Sequence, residues 1–386
     1  MIPALSRPVW AHIDLDIIEN NAKILTSLAY PSQLCAVVKA NAYGHGAVEV
    51  SKAAIKGGAS WLGVATLEEA IQLREAKIQA PILLLSQPHP NMIAKVAQYG
   101  FSFMVYTELG LQAAKEISKS YRPKMHLKID TGMHRVGASS QEGLILAHLI
   151  AQDPKLTLEG VCSHFACADD DQDSFTTYQL DQFNRFLSLL EQYDIDPGIV
   201  HLANSAALLR YPQTHFDLVR VGIALYGYPP VPFGSQILKQ GLKPALSLKA
   251  LLSLLRKVPA GEGVSYGLRY KKPQECTYGV APIGYADGIL RRLSLNGAQV
   301  LLNSQRRPFA GTVTMDQILI DCGDIENVKI GDEVVFIGTQ GKESISALDL
   351  ATHLETITYE ILTSLSDRIP RFYSDKECNE WLLQFD

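Results

Sequence analysis

Lys39 follows a short apolar run, Leu34 to Val38, and opens the segment Lys39-Ala-Asn-Ala-Tyr-Gly-His-Gly46. A run with two adjacent valines reads as a buried parallel strand. The Gly/Asn/Tyr stretch after it reads as a loop, and Ala47 onward as a helix. A lysine at such a strand end faces the place where strand-to-helix loops gather. Lysine is rarely buried without a partner or a task. A desolvated amine can form a Schiff base with a carbonyl, and pyridoxal phosphate (PLP) is the common carbonyl held this way. A single lysine more commonly snorkels from a strand end to water. The elements that would surround Lys39 decide between the two.

Between residues 34 and 225 eight short apolar runs occur, at 34–39, 61–65, 81–86, 101–106, 124–130, 158–164, 198–204 and 218–227. Most are separated by amphipathic helical patterns. Leu67 to Ala76 and Ser174 to Tyr193 show apolar residues at three-to-four spacing. Alternating strands and helices imply right-handed βαβ units and a parallel sheet. Eight such units predict a (β/α)8 TIM-type barrel. A doubly wound open sheet is the runner-up, but no GxGxxG fingerprint supports it.

After about residue 240 the texture changes to imperfect alternation and turn-rich stretches such as Pro259-Ala-Gly-Glu-Gly263. Strand-like segments broken by Gly, Asn and Pro follow, with one helix expected over Ala347 to Leu365. The prediction is a barrel over residues 1–235 and a mainly β C-terminal domain over 236–386, with Pro229-Pro-Val-Pro232 near the boundary. The extreme N-terminal strand is allowed to join the β domain.

With 386 residues, 47% hydrophobic and 19% charged, the composition is that of an ordinary globular protein. A net charge of −5 and the absence of basic runs argue against nucleic acid or an anionic membrane as partner. No stretch approaches the roughly 18 apolar residues that span a bilayer. No secretory signal is visible at the N-terminus, and the six scattered cysteines read as reduced thiols, so a cytoplasmic location is expected.

In a (β/α)8 barrel the site lies at the C-terminal strand ends. The first strand ends at Lys39, the fifth carries Lys128 and Asp130, the sixth ends at Ser163-His164, the seventh near Asn204-Ser205, and the eighth carries Arg220 before Gly222-Ile223. Each has a mundane reading alone, as a cap, an ion pair or a core histidine. Together they would surround one cavity. The Ser205 hydroxyl, the Gly222-Ile223 backbone and the Tyr43 phenol could receive a phosphate there.

The segment Val38-Lys-Ala-Asn-Ala-Tyr-Gly-His-Gly46 resembles the signature of the PLP-dependent alanine racemases. The resemblance continues through His126-Leu-Lys-Ile-Asp-Thr-Gly-Met-His-Arg135, His201-Leu-Ala-Asn-Ser205 and Arg220-Val-Gly-Ile223. It extends to Gly263-Val-Ser-Tyr-Gly267, Ile283-Gly-Tyr-Ala-Asp-Gly288 and Thr314-Met-Asp316, covering essentially the whole chain in order.

The resemblance implies a homodimer with head-to-tail subunits and shared sites, acting on a small amino acid. It implies that Lys39 carries the cofactor and that Tyr43, Ser205, Gly222, Ile223 and Tyr359 hold its phosphate, with His164 and Asn204 also lining the cofactor site. Arg220 would donate to the pyridine nitrogen. Arg135 would contact the phenolic oxygen and help place the substrate carboxylate, with Met315 as a backbone donor. Tyr266 of the partner subunit would be the second base, Tyr285 and Arg291 would line the entrance, and Lys128 would be a lysine that can be carbamylated. No metal is implied. The chain departs from the family at Thr314, where cysteine is common, and at Thr358, where asparagine is common.

Racemisation removes the α-proton from one face and returns a proton to the other, so two bases on opposite faces suit it. Lys39 can serve one face and Tyr266 the other, provided a neighbour makes its proton labile, since a free phenol has a pKa near ~10. His164 and Arg220 are the plausible chain for that. An arginine at the pyridine nitrogen donates without giving up its proton, weakens the electron sink and favours proton exchange. A PLP decarboxylase would instead place a carboxylate there. A racemase of serine remains an alternative, as does a non-catalytic PLP-binding barrel protein, which would lack the second domain. A zinc hydrolase on Cys162, His164 and Cys167 is a remote option without recognised ligand spacing. The activity would serve either supply of D-alanine for the cell wall or catabolism of the L-form.

Overall fold

The computed structural model describes residues 7–170, 174–228, 230, 240–323 and 328–385. Two compact units share the chain: Asp16–Ala42 with Ala47–Lys243, and Met1–Leu15 with Tyr43–Gly46 and Pro244–Asp386. The predicted boundary at 235/236 falls outside the described residues, as does most of the proline stretch before it.

In chain order, β1 (Val9–Ile13) belongs to the β-rich unit. The next eight strands form the other: β2 Gln33–Val37, β3 Trp61–Val64, β4 Ile82–Leu84, β5 Ser102–Val105, β6 Lys124–Lys128, β7 Thr157–Cys162, β8 Ile199–His201 and β9 Leu218–Val221. All pair parallel, in the order β8-β7-β6-β5-β4-β3-β2-β9. Two backbone bonds join the ends of that order, Asp217 N–H to the Val200 carbonyl and Arg220 N–H to the Ala203 carbonyl, each 3.0 Å. This is the expected (β/α)8 barrel. Its strands are short and buried on both faces, which is why they read as continuous apolar runs. Cys35, Trp61, Leu83, Met104, Cys162 and Leu218 pack into one of its buried clusters.

Helices form where the spacing placed them, at Leu67–Glu75 and Phe175–Gln192. The first starts with a capping box, in which Thr66 Oγ1 accepts the Glu69 N–H and the Glu69 carboxylate accepts the Thr66 N–H. Among the described residues no helix is long and apolar enough to cross a membrane.

The segment after Lys39 is not the open loop expected. Ala40, Asn41, Ala42 and Tyr43 all have φ between 51° and 53°, a complete left-handed turn. Each such L-residue costs roughly 1–2 kcal/mol, so the turn needs external support. The Ala42 N–H reaches the Val38 carbonyl (2.9 Å), the Ala47 N–H donates to Asn41 Oδ1 (2.8 Å), and the Ala40 N–H donates to Glu69 Oε1 (2.7 Å). Asn41→Ala removes one acceptor and the residue most tolerant of this conformation. It is expected to lower unfolding free energy by about 1–2 kcal/mol in denaturant titration; parental stability would show that this side chain does not hold the turn.

The second unit adds β10 Leu246–Leu251, β11 Leu254–Val258, β12 Gly263–Val264, β13 Tyr270–Lys271, β14 Cys276–Ala281, β15 Gln299–Leu302, β16 Gln305–Pro308, β17 Ile318–Gly323, β18 Glu333–Gln340, β19 Glu343–Ile345 and β20 Arg371–Phe372. The larger sheet runs β16-β15-β18-β10-β1-β20, with β19 on β18, and β11-β14-β17 form a second sheet. Trp10, Phe372, Cys378 and Trp381 make one core, in which the two indoles meet edge-on with centroids 6.0 Å apart. The single helix expected over Ala347 to Leu365 is two, Ala347–Leu354 and Thr358–Thr363. The break is Glu355, a left-handed cap (φ 55°), followed by extended Ile357. Apolar residues keep helical spacing across the break, which hides it in the sequence.

Candidate active site

The C-terminal strand ends of the barrel gather cations. Lys39 follows β2, Lys128 ends β6, Arg135 lies beyond β6, and Arg220 is the third residue of β9. Burial pushes the Lys39 amine below the ordinary lysine value and Arg135 pushes it further, against a weaker pull from Glu69. Lys128 is lowered likewise, chiefly by burial; Arg220 and Arg135 add to this, while Cys162 and Asp130 oppose it. His164, after β7, is held well below the usual imidazole value by burial and then by Arg220, Lys128, Arg135 and Lys39. The pole therefore favours uncharged amines and a neutral imidazole, and it attracts anions.

Arg220 is buried at 5% exposure. Its Nη1 lies 2.6 Å from His201 Nδ1, and its Nη2 reaches the Ser163 carbonyl (2.8 Å), the Leu202 carbonyl (3.2 Å) and His164 Nδ1 (3.2 Å). No carboxylate bonds it among the described residues. Guanidinium has no acceptor, so both histidine nitrogens facing it must accept. Beside it, Asn204 caps Ser205–Arg210 by accepting the Ala206 and Ala207 N–H groups, 3.0 Å each. Ser205 Oγ accepts the N–H of Gly222 (3.0 Å) and of Ala224 (3.4 Å), which ties the start of that helix to the turn after β9. The structure thus brings Lys39, Lys128, Arg135, His164, Asn204, Ser205, Arg220, Gly222 and Ile223 to one end of the barrel. Cys162, His164 and Cys167 form no metal site; no group of three or more such side chains among the described residues could hold a metal ion.

The remaining candidates lie in the β-rich unit. The Tyr43 and Tyr359 rings stand 5.8 Å apart, and burial raises the Tyr43 phenol. Tyr266 sits on a tight turn with Ser265 at φ 61°, Gly267 at 80° and Leu268 at 49°. Ser265 Oγ donates to the Thr312 carbonyl (2.6 Å), and Thr312 Oγ1 donates to the Tyr266 carbonyl (3.0 Å). The Tyr285 N–H donates to the Thr314 carbonyl and the Ala286 N–H to that of Met315. Ser294 Oγ, which donates to the Arg291 carbonyl, accepts the Val313 N–H at 2.8 Å. Residues 312–315 therefore stitch Tyr266, Tyr285, Arg291 and Met315 into one loop cluster. Tyr266 is 71% exposed in the single chain and Met315 52%.

Four polar residues escaped the sequence reading. Glu69 holds the Ala40 N–H beside Lys39 and was legible only as the fourth residue of the Thr66 capping box. His126, His201 and Glu159 extend inward from Arg220. The polar alternation Lys124, His126, Lys128 was the available sign that β6 turns an ionisable face inward.

The chain thus joins a (β/α)8 barrel, with a lysine, a buried arginine and a hydroxyl-tied turn at its C-terminal pole, to a β-rich unit, and that pairing defines the class of protein. The alanine racemase N-terminal domain matches residues 13–230, and the alanine racemase C-terminal domain matches residues 245–373. Alanine racemases from Carboxydothermus hydrogenoformans and Symbiobacterium thermophilum are 44% and 42% identical, over 95% of this chain and 100% and 97% of theirs. The crystal structure of alanine racemase from E. faecalis superposes with a TM-score of 0.90 at 38% identity, covering 97% of this chain and 100% of that one. That of the Bacillus anthracis enzyme with bound L-Ala-P gives 0.88 at 40% identity, covering 96% of each chain. The chain is a member of the alanine racemase family.

Proposed function

We propose that this enzyme interconverts L- and D-alanine with PLP, by proton exchange between two bases. The observation that carries the reading is the lysine amine held toward its uncharged form at the cationic end of the barrel. The donor set suits the cofactor. Lys39 supplies the amine, Arg220 a permanent donor for the ring nitrogen, and Ser205 with the Gly222-Ile223 turn a receptor for the phosphate, joined by Tyr43 and Tyr359. His164 and Asn204 complete the cofactor's surroundings. When bound, PLP withdraws electrons from the substrate α-carbon and makes its proton labile.

Lys39 Nζ exchanges that proton on one face. Tyr266 of the partner subunit serves the other, a role suited to a phenol so exposed in one chain on a turn so firmly held. Arg220 donates while keeping its own proton. Arg135 and the Met315 backbone orient the substrate carboxylate, Lys128 steadies Arg135 if carbamylated, and Tyr285 and Arg291 line the entrance. The enzyme is a head-to-tail homodimer and cytoplasmic; Cys35, Cys162, Cys276, Cys322 and Cys378 are buried free thiols, as suits a reducing compartment.

An absorbance spectrum of the purified protein, followed by circular-dichroism assay on L-alanine and L-serine, tests this. A visible cofactor band and a decay of optical activity faster with alanine are expected. A flat trace with alanine would remove the assignment. A pocket sized for a methyl group rejects one hydroxyl only about a hundredfold or less, so slow serine turnover is compatible with it.

A further inference from the structure

Arg220 is a buried cation whose four hydrogen bonds all go to uncharged acceptors. One of them begins a chain. His201 Nε2 lies 2.8 Å from His126 Nδ1, and His126 Nε2 lies 3.1 Å from Glu159 Oε2. Ser102 Oγ donates to the same carboxylate oxygen, and Lys124 lies 3.6 Å from the other. Both imidazoles are fully buried.

The proton positions in this chain follow by elimination. Guanidinium can only donate, so His201 Nδ1 carries no hydrogen and its Nε2 carries one. That hydrogen points at His126 Nδ1, which must therefore be bare, and His126 Nε2–H then donates to Glu159. A second proton on either ring would set N–H against N–H. Burial works to raise the Glu159 carboxyl, but hydrogen bonds from His126 and Ser102 bring it below the ordinary value, so it stays an acceptor. Burial, then the Arg220 guanidinium, hold His201 well below the usual imidazole range.

The backbone is shaped for this chain. The β6–β7 register slips at His126, so that Met125 pairs with Leu158 and His126 with Gly160. Glu159 is the extra residue of a bulge, a device that re-aims a side chain and is rare between parallel strands. Gly160 leaves room for the ring: a Cβ there would stand 2.5 Å from His126 Nδ1. Trp61 closes the other side, edge-on at 5.8 Å.

We infer that Glu159 is a positioning residue for Arg220, acting through His126 and His201 to keep the guanidinium in one orientation with both imidazoles neutral. This rests on the reading that Arg220 faces the pyridine nitrogen only for its effect on turnover; the proton arrangement stands without it.

Long-range ¹H–¹⁵N spectra of the full-length protein with labelled histidine, recorded with and without PLP, test the arrangement directly. His126 and His201 should each show a protonated Nε2 and a bare Nδ1. A protonated Nδ1 on either ring overturns the inference even if no variant folds. In Glu159→Gln the amide oxygen can still accept, so the same tautomers and kcat within about threefold of the parent are expected. In Glu159→Leu the His126 Nε2–H loses its acceptor, so its ¹⁵N–¹H signal should shift and broaden and kcat fall on the order of tenfold with KM nearly unchanged, the loss of about one charge-assisted hydrogen bond. Unchanged kcat in folded Glu159→Leu would deny the positioning role. If PLP fails to bind while both rings show the stated tautomers, the cofactor reading falls and the arrangement holds.

Discussion

Lys39→Ala is expected to abolish both the visible cofactor absorbance and measurable racemisation in either direction. Two functions end together, because the same amine would anchor PLP and exchange the α-proton. General-base loss alone is worth roughly 10²–10⁴-fold, and loss of the anchor adds to it. The substitution removes a half-buried amine whose burial disfavours its charged form, so the fold should survive; circular dichroism would verify that. A variant that keeps both the absorbance band and turnover would place the chemistry elsewhere.

Tyr266→Phe is expected to lower racemisation in both directions by roughly 10²–10⁴-fold, and to slow solvent exchange of the L-alanine α-proton more than that of D-alanine, because the family's assignment of faces gives the tyrosine the L-substrate's proton. The turn that carries the ring is held by Ser265 and Thr312 through backbone carbonyls and not through the phenol. Phenylalanine should therefore keep the ring's place and report on the hydroxyl alone. Equal and mild losses of the two exchange rates would exclude Tyr266 as a base. Mixing Lys39→Ala with Tyr266→Phe protein tests the shared site. After subunit exchange half the dimers are mixed and each carries one intact site, so about a quarter of parental activity should return. No recovery after demonstrated exchange would exclude the head-to-tail arrangement.

The barrel was legible in the sequence because its strands are buried on both faces and its helices are amphipathic. The run at 34–39 locates Lys39 at a strand end, and the run at 218–227 places Arg220 within the last barrel strand. What stayed hidden has physical causes. Ala-Asn-Ala-Tyr contains no glycine to announce four left-handed residues in a row, and the support comes from Asn41 and from Glu69, a helix away. Glu159 owes its direction to a one-residue slip that no alternation pattern of β7 could reveal. Glu355 breaks a helix without a Gly or Asn cap to mark it. In the first two cases the local signal was overridden by a partner distant in sequence.

The course of the chain bears on how this protein can be taken apart. Tyr43–Gly46 belongs with the β-rich unit although barrel residues precede and follow it. Its place there is fitted: Arg371 Nε donates to the Gly44 carbonyl at 3.1 Å, and a Cβ on Gly44 would stand 2.3 Å from the Leu362 carbonyl oxygen. In the larger sheet β1 lies between β10 and β20. A fragment cut at residue 244 would thus lose an interior strand and a buried segment at once. The two units cannot be exchanged between relatives as cassettes by a single crossover, and the natural unit of recombination is the whole chain.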